Sequence, residues 1–251
     1  MGRVKFAISS HVSYHRETYG PLVTSMLRSG VPAHDIYVFV GGHDGTTYET
    51  YDTTSYGVGD SSGVHAYLVP HNSIDFTGVV SVLELGLVAD RWFVLHDTVI
   101  VGPTFYERVT THDSHGSSDA NSSDANSSDA IPLTSDGPSM NMGSYAWTFL
   151  VSHRDEILSP TFKNASNDPD VVRMYKRNGV PLEDDLFRRA GAGTGARGGG
   201  GAYNHTPRLV TGPTDVYGPG KSQRIVEYYP DVDLYKMKAN WRVADEYVTT
   251  L

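Results

Sequence analysis

Two polar residues, His96 and Asp97, stand between the apolar runs Trp92-Phe93-Val94-Leu95 and Val99-Ile100-Val101, with Gly102 and Pro103 just beyond. The first run is too short to hold a helix of its own and predicts a strand buried on both faces. Pro103 suits the first turn of a short helix, where its missing N–H costs nothing. A carboxylate and an imidazole at the end of a buried strand are costly to take out of water unless something pairs with them. A divalent cation held by Asp97 is the simplest partner. A surface turn between the two strands of a hairpin accounts for the same spacing.

Further polar residues close other apolar segments. Ser9, Ser10 and His11 end the run that begins at Arg3, and the segment GGHDG, with Gly42 and Asp44, follows Ile36 to Val40. In HNSIDFTG (71–78), Asn72 or Ser73 can cap a helix whose apolar stripe is Phe76, Val79, Val80, Leu83 and Leu87. Asp75 then falls in the first helical turn, where it serves the dipole or reaches a ligand. PSMNMGSYAWTFLVSH (138–153) places Gly143 two residues after Asn141, ahead of a mostly apolar run. Glu183, Asp184 and Asp185 open another helix. Acids there complement the dipole, and one aimed into a cleft would serve as a general base. His205 ends a glycine-rich stretch that suits a lid or a linker, and it would complete a metal shell if the lid closed.

The elements that must position these residues follow from periodicity. Tyr19, Leu22, Val23, Met26 and Leu27 recur at helical spacing, with Pro21 expected in the first turn and Gly30 at the end. Strand, helix, strand at this spacing is a βαβ unit, so the chain reads as α/β with a parallel sheet. Such sheets bind ligands at the carboxyl ends of their strands, which brings Ser9 to His11 and Gly41 to Asp44 to one crevice. A dinucleotide fingerprint would sit between the first strand and the first helix. This chain has SSHVSYH there, and its glycine pair comes after the second strand. Gly41 and Gly42 read as a tight turn that lets backbone approach a ligand, or as a plain loop. Val64 to Val69 predicts a further strand. Asp168 and Pro169 mark a helix start. Residues 224–241 read as a strand and an amphipathic tail packed on the domain.

Residues 112–130 carry SSDAN, SSDAN and SSDA in tandem, a polar low-complexity insertion expected to be disordered. His112, Asp113 and His115 beside it have the composition of a metal cluster, but such a loop fixes no geometry.

Composition narrows the function classes. A formal charge of −9 argues against a nucleic-acid groove, which would carry a basic surface. No apolar run approaches the ~20 residues of a membrane span, so no integral membrane segment is expected. Without cysteine the chain has no disulfide, thiolate zinc site or cysteine nucleophile. The first residues enter strand pattern without the apolar core of a secretory signal, and the expected location is cytoplasmic. The N-x-S/T triplets at Asn121, Asn126, Asn164 and Asn204 carry no weight on that reading.

The βαβ start, the helix opened by NSIDFTG and the buried strand ending in an acidic motif before Gly-Pro resemble nucleotide-sugar glycosyltransferases of the A-type fold. The resemblance spans roughly residues 3 to 190 and leaves the tail uncovered. Asp97-Thr98 and the NMG at 141–143 are also similar to small viral and bacterial members. It implies one Rossmann-like domain over 1–251, with a mostly parallel central sheet flanked by helices. Residues 1–110 would bind the nucleotide-sugar, and 131–251 would form the acceptor-side half and tail. The family holds Mn²⁺ or Mg²⁺ on a D-x-D motif. Here that position reads Leu95-His96-Asp97-Thr98, so Asp97 would need help from His96 or a later histidine such as His205.

The implied reaction moves a sugar from a UDP- or GDP-sugar donor to a hydroxyl of a glycan acceptor. It is expected to invert, with Asp184 or Asp185, beside Glu183, as the base. Ser9, Ser10, His11, Gly42, Asp44, Asn72, Asp75 and His96 would surround the nucleotide-sugar, and Asn141 and Gly143 its sugar or the acceptor. A metal-dependent hydrolase could use the same histidines and aspartates, and a non-catalytic carbohydrate-binding protein would suit the tyrosines and tryptophans.

Overall fold

The computed structural model describes residues 3–52, 63–115, 130–133, 142–176, 178, 206–208 and 226–237. The chain begins with β1 (Val4–His11), α1 (His15–Arg28), β2 (Ile36–Gly41), β3 (Glu49–Thr50) and β4 (His65–Leu68). A 3-10 turn (Ile74–Phe76) leads into α2 (Thr77–Glu84), β5 (Arg91–His96), β6 (Val99–Val101) and α3 (Phe105–His115). Then come β7 (Ala130–Pro132), β8 (Gly143–Ala146), α4 (Trp147–Ser152) and α5 (Arg154–Ile157), followed by β9 (Thr206–Arg208), β10 (Val226–Tyr229) and β11 (Leu234–Met237).

The fold is α/β. A seven-stranded sheet runs in the order β3-β4-β2-β1-β5-β8-β7. Its four inner strands β4, β2, β1 and β5 are parallel, and β3, β8 and β7 are antiparallel to their neighbours. Helices flank the sheet, as periodicity predicted.

Alternation along the strands builds two cores. Phe6 and Ile8 of β1, Val38 and Val40 of β2, and Phe93 and Leu95 of β5 pack with Leu22, Val23 and Met26 of α1. Their neighbours Ala7, Tyr37, Phe39, Trp92 and Val94 pack on the other face with Val79, Val80 and Leu83 of α2. Each large apolar side chain so buried stabilises the fold by about 1.5–3 kcal/mol. The two faces, and not the polar strand ends, therefore hold the sheet together.

β6 belongs elsewhere. It forms one edge of a four-stranded antiparallel sheet, β6-β11-β10-β9. The hairpin alternative for residues 96–98 is thereby overturned, because β5 and β6 lie in different sheets and the turn between them is buried at Asp97. The β10–β11 hairpin also caps α3. Thr104 donates its N–H and its hydroxyl to Asp233 Oδ2 at 2.9 and 2.7 Å, and Gly102 N–H donates to Asp233 O at 2.7 Å. A Cβ on Gly102 would overlap the Asp233 carboxyl group.

Three local expectations need correction. Pro21 lies inside α1, which begins at His15, where it cannot donate the N–H that an interior helical residue normally supplies. Pro103 precedes α3 rather than starting it, since Asp233 caps the helix through Thr104. α3 continues through His115, so residues 112–115 are helical where the sequence placed the start of the insertion. Residues 116–129, which hold most of the tandem repeat, lie outside the described residues.

Asp168 caps a helix as expected, its Oδ1 accepting the N–H groups of Asp170 (2.9 Å) and Val171 (3.2 Å).

Candidate functional site

Chain order places a switch point between β1 and β5. From β1 the chain moves through α1 to β2 and then β4 on one side, and returns through α2 to β5 on the other. Crevices at such points, outside the carboxyl ends of the strands, are where parallel sheets bind ligands. Ser9, Ser10, His11, His96 and Asp97 all sit there.

The two-residue period of a strand divides them between the faces. Ser10 shares the α1 face with Ile8, and its hydroxyl donates to Asp97 Oδ2 at 2.6 Å. Thr18, from the first turns of α1, donates to the same oxygen at 2.8 Å. Asp97 N–H extends the ladder by donating to Ser9 O at 3.0 Å. Ser9 faces α2. Its hydroxyl donates to Asp75 O (3.0 Å) and accepts Gly78 N–H (2.9 Å), which satisfies a free donor at the start of α2. Ser73 takes the N-cap position of the 3-10 turn without making a side-chain cap bond, and Phe76 holds that position for α2.

Asp97 is the most constrained of these groups. It is 9% exposed, and both hydroxyl bonds land on one oxygen. Burial pushes its carboxyl above the usual carboxylate range; the Ser10 and Thr18 donors oppose this, and the nearby Asp75 charge adds to it. No positive group is among the influences acting on it. His96, on the opposite face from Asp97, brings Nδ1 to 3.9 Å from Asp75 Oδ1. Asp75 itself follows Ile74, whose φ is +49°. A β-branched residue there is strained, and such strain persists only where the surroundings impose it.

His11 lies over Gly42. Ser13 N–H donates to its Nδ1 at 3.1 Å, so in the neutral ring Nε2 carries the proton. Burial holds this imidazole below its ordinary value, helped by the charges of His15 and Lys176. Gly42 has φ +80°, and a Cβ there would overlap the His11 ring. The glycine is required by the packed imidazole. Asp44 is exposed and accepts from Asn167 Nδ2 at 3.2 Å.

Asn72 is knotted to Asn164: its N–H donates to Asn164 O (2.7 Å), and its own carbonyl accepts Asn164 Nδ2 (3.0 Å). Its Oδ1 is buried with no hydrogen-bond partner among the described residues. Asn164, one of the N-x-S/T asparagines, is buried. Beneath this knot His71 is enclosed by Ser73 (2.9 Å), Ser81 (3.2 Å) and Tyr48 (3.2 Å). Burial drives its pKa down to about 4, with Glu84 opposing. Gly143 opens β8, paired with Val94 and Pro132, while its neighbour Met142 accepts His96 N–H through sulfur at 3.3 Å.

The crevice therefore gathers Ser9, Ser10, His11, Gly42, Asp75, His96 and Asp97. Glu183, Asp184, Asp185, Asn141 and His205 lie outside the described residues. Sequence reasoning missed Thr18. Its signal was a hydroxyl four residues before Leu22 on an apolar helical stripe, a place where a polar group must find an internal partner. Among the described residues no group of three or more His, Asp or Glu is arranged to hold a metal ion, and no helix is long and apolar enough to cross a membrane. Neither a protein-family model nor a curated protein matches the chain.

Proposed function

We propose that this chain is a nucleotide-sugar-dependent glycosyltransferase of the A-type fold, moving a sugar from a UDP- or GDP-sugar to a hydroxyl of a glycan acceptor. The observation that carries the reading is Asp97: a buried carboxylate at the switch point of a parallel sheet, with two neutral donors on one oxygen and no cation beside it among the described residues. A charge so placed calls for a positive partner.

The donor set suits a hard ion. Asp97 and, across the crevice, Asp75 offer carboxylate oxygens, which Mg²⁺ and Mn²⁺ favour. Protein ligands are too few for a closed shell, so phosphate oxygens and water would complete it, as these ions accept. When bound, such an ion would stabilise the charge of a departing nucleoside diphosphate. Ser10 and Thr18 both donate to Oδ2 and fix the orientation of the carboxylate. Ser9 anchors the turn bearing Asp75, and His11 offers an Nε2 proton at the rim. The roles of Asp184 or Asp185 as base, of Glu183 beside them, of His205 as a further ligand and of Asn141 toward the sugar belong to the same proposal, as do an inverting course and a cytoplasmic setting.

The test is a thermal-shift screen of UDP and GDP with and without Mn²⁺, followed by turnover of the matching sugar donors. A ligand bound only by the folded chain raises the melting temperature by mass action. Metal-dependent stabilisation, and turnover that is lost in Asp97→Ala, are the expected results. No shift with any nucleotide, or full turnover in that variant, overturns the reading.

A further inference from the structure

Among the described residues two besides glycine have left-handed backbone, Asp233 (φ +51°) and Ile74 (φ +49°). A short polar residue such as aspartate tolerates that conformation, and a β-branched one does not. Ile74 is half-buried and belongs to neither apolar core, so core packing does not impose the strain. Its neighbours do. On one side Asn164 holds three points: its carbonyl accepts Asn72 N–H (2.7 Å), its Nδ2 donates to Asn72 O (3.0 Å), and its N–H donates to Ser73 Oγ (3.2 Å). The Tyr175 hydroxyl also reaches Ser73 O at 3.5 Å. On the other side the Ser9 hydroxyl holds two points, donating to Asp75 O (3.0 Å) and accepting Gly78 N–H (2.9 Å). Ile74 alone lies between the held residues Ser73 and Asp75, so the mismatch between the two clamps falls on its φ. The segment bears a second cost, since Asn72 Oδ1 and Thr77 Oγ1 are buried without hydrogen-bond partners among the described residues. Strain and unmet polar groups gathered in one short turn persist only where the surroundings over-determine the backbone.

We propose that Asn164 and Ser9 are positioning residues that force the 72–78 turn into this strained form and so set Asp75 in the crevice for a divalent cation. This role rests on the metal reading above and deepens it, bringing in Asn164 from outside the strand ends. Asp75 is the residue the turn delivers. It follows Ile74 directly, its side chain is 37% exposed and therefore open to a ligand, and its Oδ1 stands 3.9 Å from His96 Nδ1 at the end of β5. A carboxylate on a slack loop would have to be ordered by the ion, whereas one already held loses less freedom on binding. The strain at Ile74 is thus the cost of fixing Asp75 before the ion arrives.

The experiment has two measurements on the full chain. The first is a double-variant cycle in thermal unfolding. Ile74→Asn suits left-handed backbone and is expected to raise the melting temperature by about 2–4 °C. Ser9→Ala and Asn164→Ala each open one clamp, and in either background that gain should vanish. The second is calorimetric titration with Mn²⁺ alone, with Mn²⁺ and UDP, and with Mn²⁺ and GDP. Opening a clamp is expected to weaken Mn²⁺ binding about tenfold, as loss of a partner that orients a metal ligand does. Ser25→Ala removes a buried hydroxyl of α1 that bonds Leu22 O and Val101 N–H. It controls for a general loss of stability and should bind Mn²⁺ as wild type does. If Asn164→Ala does not fold, Ser9→Ala decides both measurements. An Ile74→Asn gain that persists with a clamp open, or no gain at all, overturns the clamp. A coupled gain with Mn²⁺ affinity unchanged in the opened variants overturns the positioning role and leaves the nucleotide-sugar reading standing. Absence of Mn²⁺ binding by wild type in all three titrations overturns that reading and this role together.

Discussion

Thr18 and Asp97 are 79 positions apart in the chain, and the hydroxyl of one donates to Oδ2 of the other at 2.8 Å. The bond ties the first turns of α1 to the end of β5 on the face where Ser10 does the same from β1. Thr18→Val removes the donor while keeping the shape. It is expected to cost about 1–2 kcal/mol in urea unfolding, because a buried acceptor loses a partner. Thr18→Ser should recover most of that loss. A valine variant as stable as wild type would show that this hydroxyl does not support the carboxylate.

Asp97 itself should behave differently with and without a cation. Its folded-state pKa is raised by burial, so its contribution favours folding at low pH and is lost as pH rises through that value. Asp97→Asn keeps an acceptor for both hydroxyls and removes the charge. Without metal the variant is expected to be at least as stable as wild type at pH 7, and Mn²⁺ should stabilise only the wild type. Equal Mn²⁺ effects in thermal melts of the two proteins would refute a metal role for this residue.

His71 predicts an acid-sensitive fold. Its folded pKa of about 4 lies below the ordinary imidazole value of 6.5. The unfolded chain therefore takes up the proton first. Stability from this group is fully present above 6.5 and is lost as pH falls toward 4. That gap corresponds to about 3 kcal/mol for a fully enclosed ring. His71→Gln should flatten the dependence between pH 7 and 4.5 in denaturant titrations, at the expense of some stability at pH 7.

Gly102 and Asp233 must change together or not at all. Gly102→Ala would push a methyl group into the Asp233 carboxyl and displace the cap of α3. Asp233→Ala removes the same cap from Thr104 and is expected to cost about 1–2 kcal/mol. The double variant should cost clearly less than the sum of the singles, since both act on one contact. Simple additivity in unfolding measurements would refute the link.

Gly42 and His11 offer a suppression test. Gly42→Ala introduces both a clash with the imidazole and a strained φ of +80°. His11→Ala in the same chain should relieve the clash and leave only the backbone strain, about 1 kcal/mol. Failure of the second substitution to restore any stability would show that the ring is not what demands the glycine.

Local sequence determined the parts that repeat. The apolar runs of β1, β2 and β5, the apolar stripes of α1 and α2 and the Asp168 cap were legible, because each depends on neighbours within a turn or a strand. So was the meeting of Ser9, Ser10 and His11 with Gly41 and Gly42 at neighbouring strand ends, since a parallel sheet aligns those ends. Tertiary structure alone decided how each residue is used. It sent Ser9 to α2 and Ser10 to Asp97, put β5 and β6 into different sheets, and brought Asp233 from the far end of the chain to cap α3. It also placed Tyr175 on the turn that carries Asp75. Contacts of this kind are absent from periodicity because they form only when distant segments are packed together. A buried polar group then takes whichever partner the packing delivers, and its position along the chain does not name that partner.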